Sequence, residues 1–200
     1  AHAKLPAAER DGREGVVGWA ARVRSHGRSE TEALLLDRPR LPLLRCECRG
    51  AQWQEMDLDG LLAAAPQLAL GDGLAHSNVP GSRHAKRWQD VEELLAAGIS
   101  VVSTVNVQHM QSLGDVVREI TGTVQRETVP DAVVRAADQV EVVDLAPAAL
   151  RERLSDGLVY PAARIDAALS NYFRLGNLTA LREIALLWLA DEVDDALKAY

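Results

Sequence analysis

The stretch LALGDGLAHSNVPGSRHAKRWQDVEELL, Leu68 to Leu95, decides how the rest of the chain is read. It begins as a short apolar run, Leu68, Ala69 and Leu70, that leads into Asp72. A polar loop broken by glycine and proline follows, and then an amphipathic helix. An open α/β sheet places its ligand chemistry at the carboxyl ends of buried strands. In nucleotide-binding folds of the P-loop type, an acid at that point holds the magnesium ion. The loop after Asp72 carries His76, Ser77, Asn78, Ser82, Arg83, His84, Lys86 and Arg87, all able to touch a ligand. Loops on a rigid scaffold carry function more often than cores do.

Working outward, strand and helix patterns alternate. Val16 to Val23 reads as a strand, Glu30 to Leu36 as a short helix and Leu43 to Cys48 as a strand. Asp57 is placed to cap a helix running to Ala65, which Pro66 ends. Gln67 to Gly71 is a buried strand. Lys86 to Ala97 is a helix with Trp88, Val91, Leu94 and Leu95 on one stripe, and Gly98 stops it. Ile99 to Val105 is a β-branched run expected to be buried on both faces. Met110 to Ile120 reads as a helix and Gln139 to Val143 as a further strand. From Pro147 onward the pattern is helical only, in segments Ala148 to Leu154, Ala162 to Phe173 and Leu178 to Ala199. The expected fold is α/β: a three-layer parallel sheet over residues 1–146, with a helical extension, 147–200, packed on it.

Composition narrows the function classes. The chain of 200 residues is 48% hydrophobic and 26% charged, ordinary for a globular domain. Aromatics are only 4%, so the core rests on Leu, Val and Ala. A net charge of -7 argues against broad nucleic-acid binding. The longest apolar run, Ile184 to Ala190, falls far short of the ~20 residues a membrane span needs, so no direct membrane contact is expected. Cys46 and Cys48 lie two apart in one strand and share a face; the expectation is two reduced thiols. No G-x-S-x-G elbow exists, and the phospho-accepting histidine and ATP-lid motifs of a histidine kinase are absent.

The stretches GLAHSNVPGSRHAKRWQDVEELLAAGISVVSTVNVQHMQSL (Gly73 to Leu113), RETVPDAVVRAADQVEVVDL (Arg126 to Leu145) and NYFRLGNLTALREIALLWLADEVD (Asn171 to Asp194) carry a resemblance. They are similar to the N-terminal cytoplasmic domain of the KdpD family of osmosensitive potassium-channel sensor histidine kinases, from about residue 12 to the end. The resemblance implies a P-loop-like fold and Mg-ATP as cofactor. It implies as partners a stress-like domain, four transmembrane helices and a kinase core downstream in a membrane-anchored parent, with a cognate response regulator. It makes Asp72 the magnesium-holding acid.

Two departures weigh against a competent nucleotide site. The family's G-x-x-x-x-G-K-T motif is absent, since neither Lys4 nor Lys86 follows the required glycines. Where the family reads Asp-Glu, this chain reads Asp72-Gly73. A smaller change puts Arg24 where the family often has Glu. In P-loop folds the strand before the missing motif sits within the sheet, and each buried unpaired backbone group there would cost about 1–3 kcal/mol. The expectation is therefore a fragment with little or no ATPase activity. A competent ATP switch is the alternative if the glycine-lysine segment precedes Ala1.

Asp72 is the first candidate site residue, against a loop-capping role. Thr104 and Asn106 follow the next strand; Asn106 reads as a sensor of the terminal phosphate or a turn residue. His76 is placed to hydrogen-bond near the nucleotide loop. Arg83 and the distant Arg28, with Lys86 and Arg87, are placed to meet phosphate oxygens or to form a solvated helix start. A second alternative is a metal-dependent hydrolase using Asp72 with His76, His84 and His109. A third is a scaffold presenting Leu189, Val193 and Leu197 to a partner.

Overall fold

The computed structural model describes residues 18–22, 39–48, 50–157 and 165–198. The chain falls into two compact units, Ala1–Val105 and Asn106–Tyr200. In chain order the first contains β1 (Gly18–Arg22), β2 (Leu44–Cys48), β3 (Ala51–Glu55), α1 (Leu58–Ala64), β4 (Leu68–Gly71), α2 (Arg87–Ala96) and β5 (Ser100–Ser103).

β1, β4 and β5 form a parallel sheet in that order. The central β4 pairs Leu68 with Gly18 and Ala69 with Trp19 on one side, and Leu68 with Ser100 and Gly71 with Ser103 on the other. Beyond β1, the Ala20 N–H donates to Pro39 O at 3.0 Å, so a further short segment lies alongside. Ala21, Met56, Leu58, Leu61, Ala69, Leu94 and Ile99 make the core between sheet and helices. Leu61 and Leu94 are almost wholly buried, each contributing roughly 1.5–3 kcal/mol through burial.

The predicted strand at Leu43 to Cys48 exists, but it pairs with a strand the sequence reading missed. β2 and β3 form a separate antiparallel ribbon, Leu44 facing Glu55 and Cys46 facing Trp53. Just before β3 lies Gly50, whose φ of 75° needs the left-handed region that glycine enters freely. The run at Ile99 to Val105 is a shorter strand and is not buried on both faces. No strand pairs with the outer edge of β5 among the described residues, and Val102 remains 37% exposed. The predicted helix over Glu30 to Leu36, the start of the first strand and Arg28 lie outside the described residues.

Helix boundaries follow local chemistry. Asp57 accepts from the Gly60 N–H at 2.9 Å and caps α1, as its position before an apolar run implied. Asp57→Ala is expected to cost about 1 kcal/mol, the usual loss for an acidic cap; a lowered urea midpoint at unchanged slope is the check. At the far end of α2, Gly98 adopts φ 81° and donates to Leu95 O at 2.9 Å. The buried face of α2 differs from the predicted stripe. Arg87, Asp90, Val91 and Leu94 are buried, Trp88 is half-buried and Leu95 is 51% exposed.

The second unit is helical. Two single turns, Val107–His109 and Gln111–Leu113, lead into α3 (Gly114–Thr121), where one helix from Met110 was expected. Short α4 (Asp131–Arg135), α5 (Pro147–Ser155), α6 (Ile165–Ser170) and the long α7 (Leu175–Lys198) follow. Val117, Val129, Leu154, Leu178 and Leu181 are buried here. The strand expected at Gln139 to Val143 is irregular backbone, with Val140 and Val143 exposed. A strand needs a neighbour's backbone to pair with, and the described residues of this unit supply none. On α7 the apolar face is buried at Leu178 and Leu181 and half-buried at Leu189, while Val193 is exposed.

Asp131 ties this unit together. It accepts from the Ser112 N–H at 3.1 Å, from the Ser112 hydroxyl, and from Trp188 Nε1 at 3.2 Å. Burial pushes its carboxyl up, but the Ser112 and Trp188 bonds and the nearby Arg135 outweigh this and hold it below the usual aspartate range. A depressed folded-state pKa contributes stability above the unfolded value, about 3.9, that is lost as pH falls through the folded value. Asp131→Asn is therefore expected to flatten the acid limb of the stability curve below about pH 4. Parallel acid limbs for the two proteins in a urea series would contradict this.

Candidate functional site

The site is built where β4 and β5 end. Because the two strands are parallel and in register, Gly71 beside Ser103, their carboxyl ends bring Asp72 and Thr104 side by side. The Thr104 hydroxyl donates to Asp72 Oδ1. The Gly73 N–H donates to Thr104 Oγ1 at 3.3 Å, and the Leu74 N–H to the Thr104 carbonyl at 2.9 Å. Gly73 takes φ 74° with open space where a Cβ would be, so the chain turns sharply just past the acid. Asp72 is half-buried and Thr104 exposed. Asp72 Oδ2 has no protein partner among the described residues. The pair offers hard oxygen donors, the kind magnesium takes when one or two carboxylates and phosphate oxygens complete its shell.

The loop after Asp72 is folded back on itself. The His76 N–H donates to Gly73 O and the Arg87 N–H to His76 O, both at 2.9 Å; Asn78 N–H reaches Ala85 O at 2.9 Å. Ser77 bridges Lys86, whose Nζ donates to Ser77 Oγ at 2.8 Å. Under the loop lies a buried polar network. Glu55 receives Arg87 Nη2 at 2.6 Å and pairs with His76 Nε2 at 2.9 Å. Asn78 accepts from Arg87 Nη2 at 3.0 Å through its oxygen and donates to Asp90 Oδ2 at 2.7 Å through its nitrogen. Burial raises the Asp90 carboxyl, against the opposing pull of Asn78, Arg87 and His84.

Each candidate residue has a definite place. His76 sits on Glu55, in the loop that starts at Asp72. Arg83, on the loop, donates to Glu93 at 2.5 Å and pairs with Asp59, so it ties α1 to α2 rather than facing Asp72's partners. His84 pairs with Glu93 at 2.7 Å and holds that carboxyl below the usual glutamate range. Asn106 opens the second unit as the exposed, extended residue before the turn at Val107–His109. His109 Nδ1 bonds Glu127 O at 2.7 Å within that unit. No three of the described His, Cys, Asp and Glu residues form a group able to hold a metal. No helix among the described residues is long and apolar enough to cross a membrane.

Sequence reasoning missed Glu55, Arg87 and Asp90 as a buried set. A signal existed for two of them: Arg87 and Asp90 lie three apart on the helix face that carries Val91 and Leu94. For Glu55 there was none, because it arrives from 32 residues away.

Comparison with known proteins gives concordant relatives. "Sensor protein KdpD" of Mycobacterium tuberculosis H37Rv is 57% identical over 191 residues, covering 96% of this chain and 22% of the relative. That of Rathayibacter rathayi is 60% identical over 188 residues, 94% of this chain and 22% of the relative. That of Escherichia coli K12 is 55% identical over 178 residues, 89% of this chain and 20% of the relative. The chain thus spans about a fifth of the length of these relatives. The family model described as KdpD, the osmosensitive K+ channel His kinase sensor domain, matches residues 1–193, and the chain belongs to that family.

Proposed function

We propose that this chain is the regulatory sensor domain of a two-component kinase that responds to potassium limitation or osmotic stress. In that reading it acts through kinase and membrane segments elsewhere in a larger protein and, through them, on a response regulator. Family membership supports it, since the relatives are sensor proteins about five times as long as the matched region. A chimera tests it directly. This chain would replace the 178 matched residues of the Escherichia coli protein. Retained, potassium-dependent phosphorylation of the response regulator is expected; a stably expressed chimera with no such output would overturn the reading.

Within that role, the Asp72–Thr104 pair is proposed as the magnesium side of a P-loop-like phosphate site. The observation that carries this is an acid and a hydroxyl meeting at the ends of adjacent parallel strands. Asp72 would hold the ion and Thr104 would orient the carboxylate, while Asn106, His76, Arg83 and Arg28 stand as further candidates by sequence. The glycines and lysine that cradle phosphate in such folds are not in this sequence, so affinity for Mg-ATP is expected no tighter than roughly 1 mM, about -4 kcal/mol. The outer edge of β5, with Val102 exposed where parallel sheets are ordinarily covered, suits a further strand bearing those residues. Micromolar binding by these 200 residues in an equilibrium titration would overturn the degenerate-site reading.

A further inference from the structure

We propose that the β2–β3 ribbon is mechanically coupled to the Asp72 crevice, with Glu55 as the positioning residue that joins them; as regulation of a magnesium-phosphate site, this rests on the reading above. The ribbon is a poor structure on its own. It has only two strands, which are marginal in water without further packing. Alternation puts Leu44, Cys46 and Trp53 on one face and Arg45, Glu47, Gln52 and Gln54 on the other. Leu44 and Trp53 remain 47% and 46% exposed. What anchors this exposed arm is its last residue, Glu55, which is 4% exposed.

From Glu55 the route to the crevice is short. One carboxylate oxygen meets His76 Nε2 at 2.9 Å and the other takes Arg87 Nη2 at 2.6 Å. His76 and Arg87 also meet through their backbone at the neck of the loop, Arg87 N–H to His76 O, beside the Asn78–Ala85 bond. The His76 N–H in turn holds the Gly73 carbonyl, and the Gly73 N–H reaches Thr104 Oγ1, the group bonded to Asp72. A displacement of the ribbon therefore pulls on both ends of the loop and on the turn that sets the Asp72 carboxylate. A group leaving a buried ion pair cannot be replaced by water at little cost, so the two ends of this route move together. Coupling of this kind is reciprocal: whatever occupies the crevice must also change the ribbon.

Amide hydrogen exchange on the full chain tests it. Glu55→Gln and the milder His76→Gln are both made, with folding checked by circular dichroism, and Gln54→Ala on the outward face serves as control. Both coupling variants are expected to speed exchange at Gly73, Leu74 and the loop amides by about tenfold or more, with the control unchanged. In the unmodified chain, Mg-ATP at about 10 mM, near saturation for a millimolar site, is expected to alter exchange in β2 and β3, and His76→Gln to abolish that response. Loop exchange unchanged in a folded His76→Gln protein overturns the coupling. Mg-ATP that binds at Asp72 without moving the ribbon overturns it too, and leaves the phosphate-site reading standing. Absence of any Mg-ATP binding overturns the phosphate site alone, and the loop exchange of the two variants then decides the coupling by itself.

Discussion

Arg87→Met is expected to destabilise the first unit by about 3–5 kcal/mol, because removing one partner of a buried ion pair strands the other. Arg87 is 1% exposed and sits between Glu55, at 2.6 Å, and Asp90, at 3.3 Å. Methionine matches much of its volume but none of its charge. Two carboxylates would then face each other across a dry space with Asn78 bonding only one of them. Burial already raises the Asp90 carboxyl, and Arg87 is one of the groups opposing that shift. Without the guanidinium the folded pKa rises further. A raised folded pKa gives stability that is present below the unfolded value and lost as pH climbs through the folded one. The deficit of the variant should therefore be larger at pH 8 than at pH 5. Urea unfolding at both pH values is the check, and a loss under about 1 kcal/mol at pH 8, the range of an ordinary exposed pair, would show that the network is not the keystone of the loop. A partial recovery in Glu55→Gln/Arg87→Met would assign the coupling to that pair.

Asp72→Asn should have the opposite character, a large effect on ion binding and a small one on stability. Asparagine keeps the shape, and its amide oxygen can still accept from the Thr104 hydroxyl that now bonds Asp72 Oδ1. The side chain is only half-buried, so the stability change should stay within about 1 kcal/mol. The carboxylate charge, in contrast, is what a hard divalent cation requires. With Mn2+ as a paramagnetic stand-in for Mg2+, the variant is expected to bind at least tenfold more weakly, a loss of about 1.4 kcal/mol. Equal Mn2+ binding by both proteins would take Asp72 out of the site.

Much of the fold was legible because local chemistry and tertiary structure agree at the places that matter. Asp57 before an apolar run, Gly98 after one, and the short apolar run ending at Asp72 each specify an element boundary that the structure keeps. The end of the next parallel strand was read as sharing Asp72's crevice, with Asn106 as the choice there, whereas the residue that bonds Asp72 is Thr104. The β2–β3 ribbon was not seen because AQWQE is short and mostly polar, with Trp53 its single large apolar residue. The strand expected at Gln139 to Val143 failed for the reverse reason. Its valines favour extended backbone, but propensity cannot supply a pairing partner. The buried Glu55–Arg87–Asp90 network was hidden because charged residues are read as solvent-facing by default, and only a contact 32 residues away in sequence reveals otherwise.

Amide chemical-shift mapping during a titration with Mg-ATP decides whether the ends of β4 and β5 form the magnesium side of a phosphate site. Shifts are expected to saturate in the millimolar range, to concentrate at Gly71 to Leu74 and at Ser103 and Thr104, and to be lost in Asp72→Asn. Shifts that cluster elsewhere, or that persist unchanged in Asp72→Asn, would contradict it.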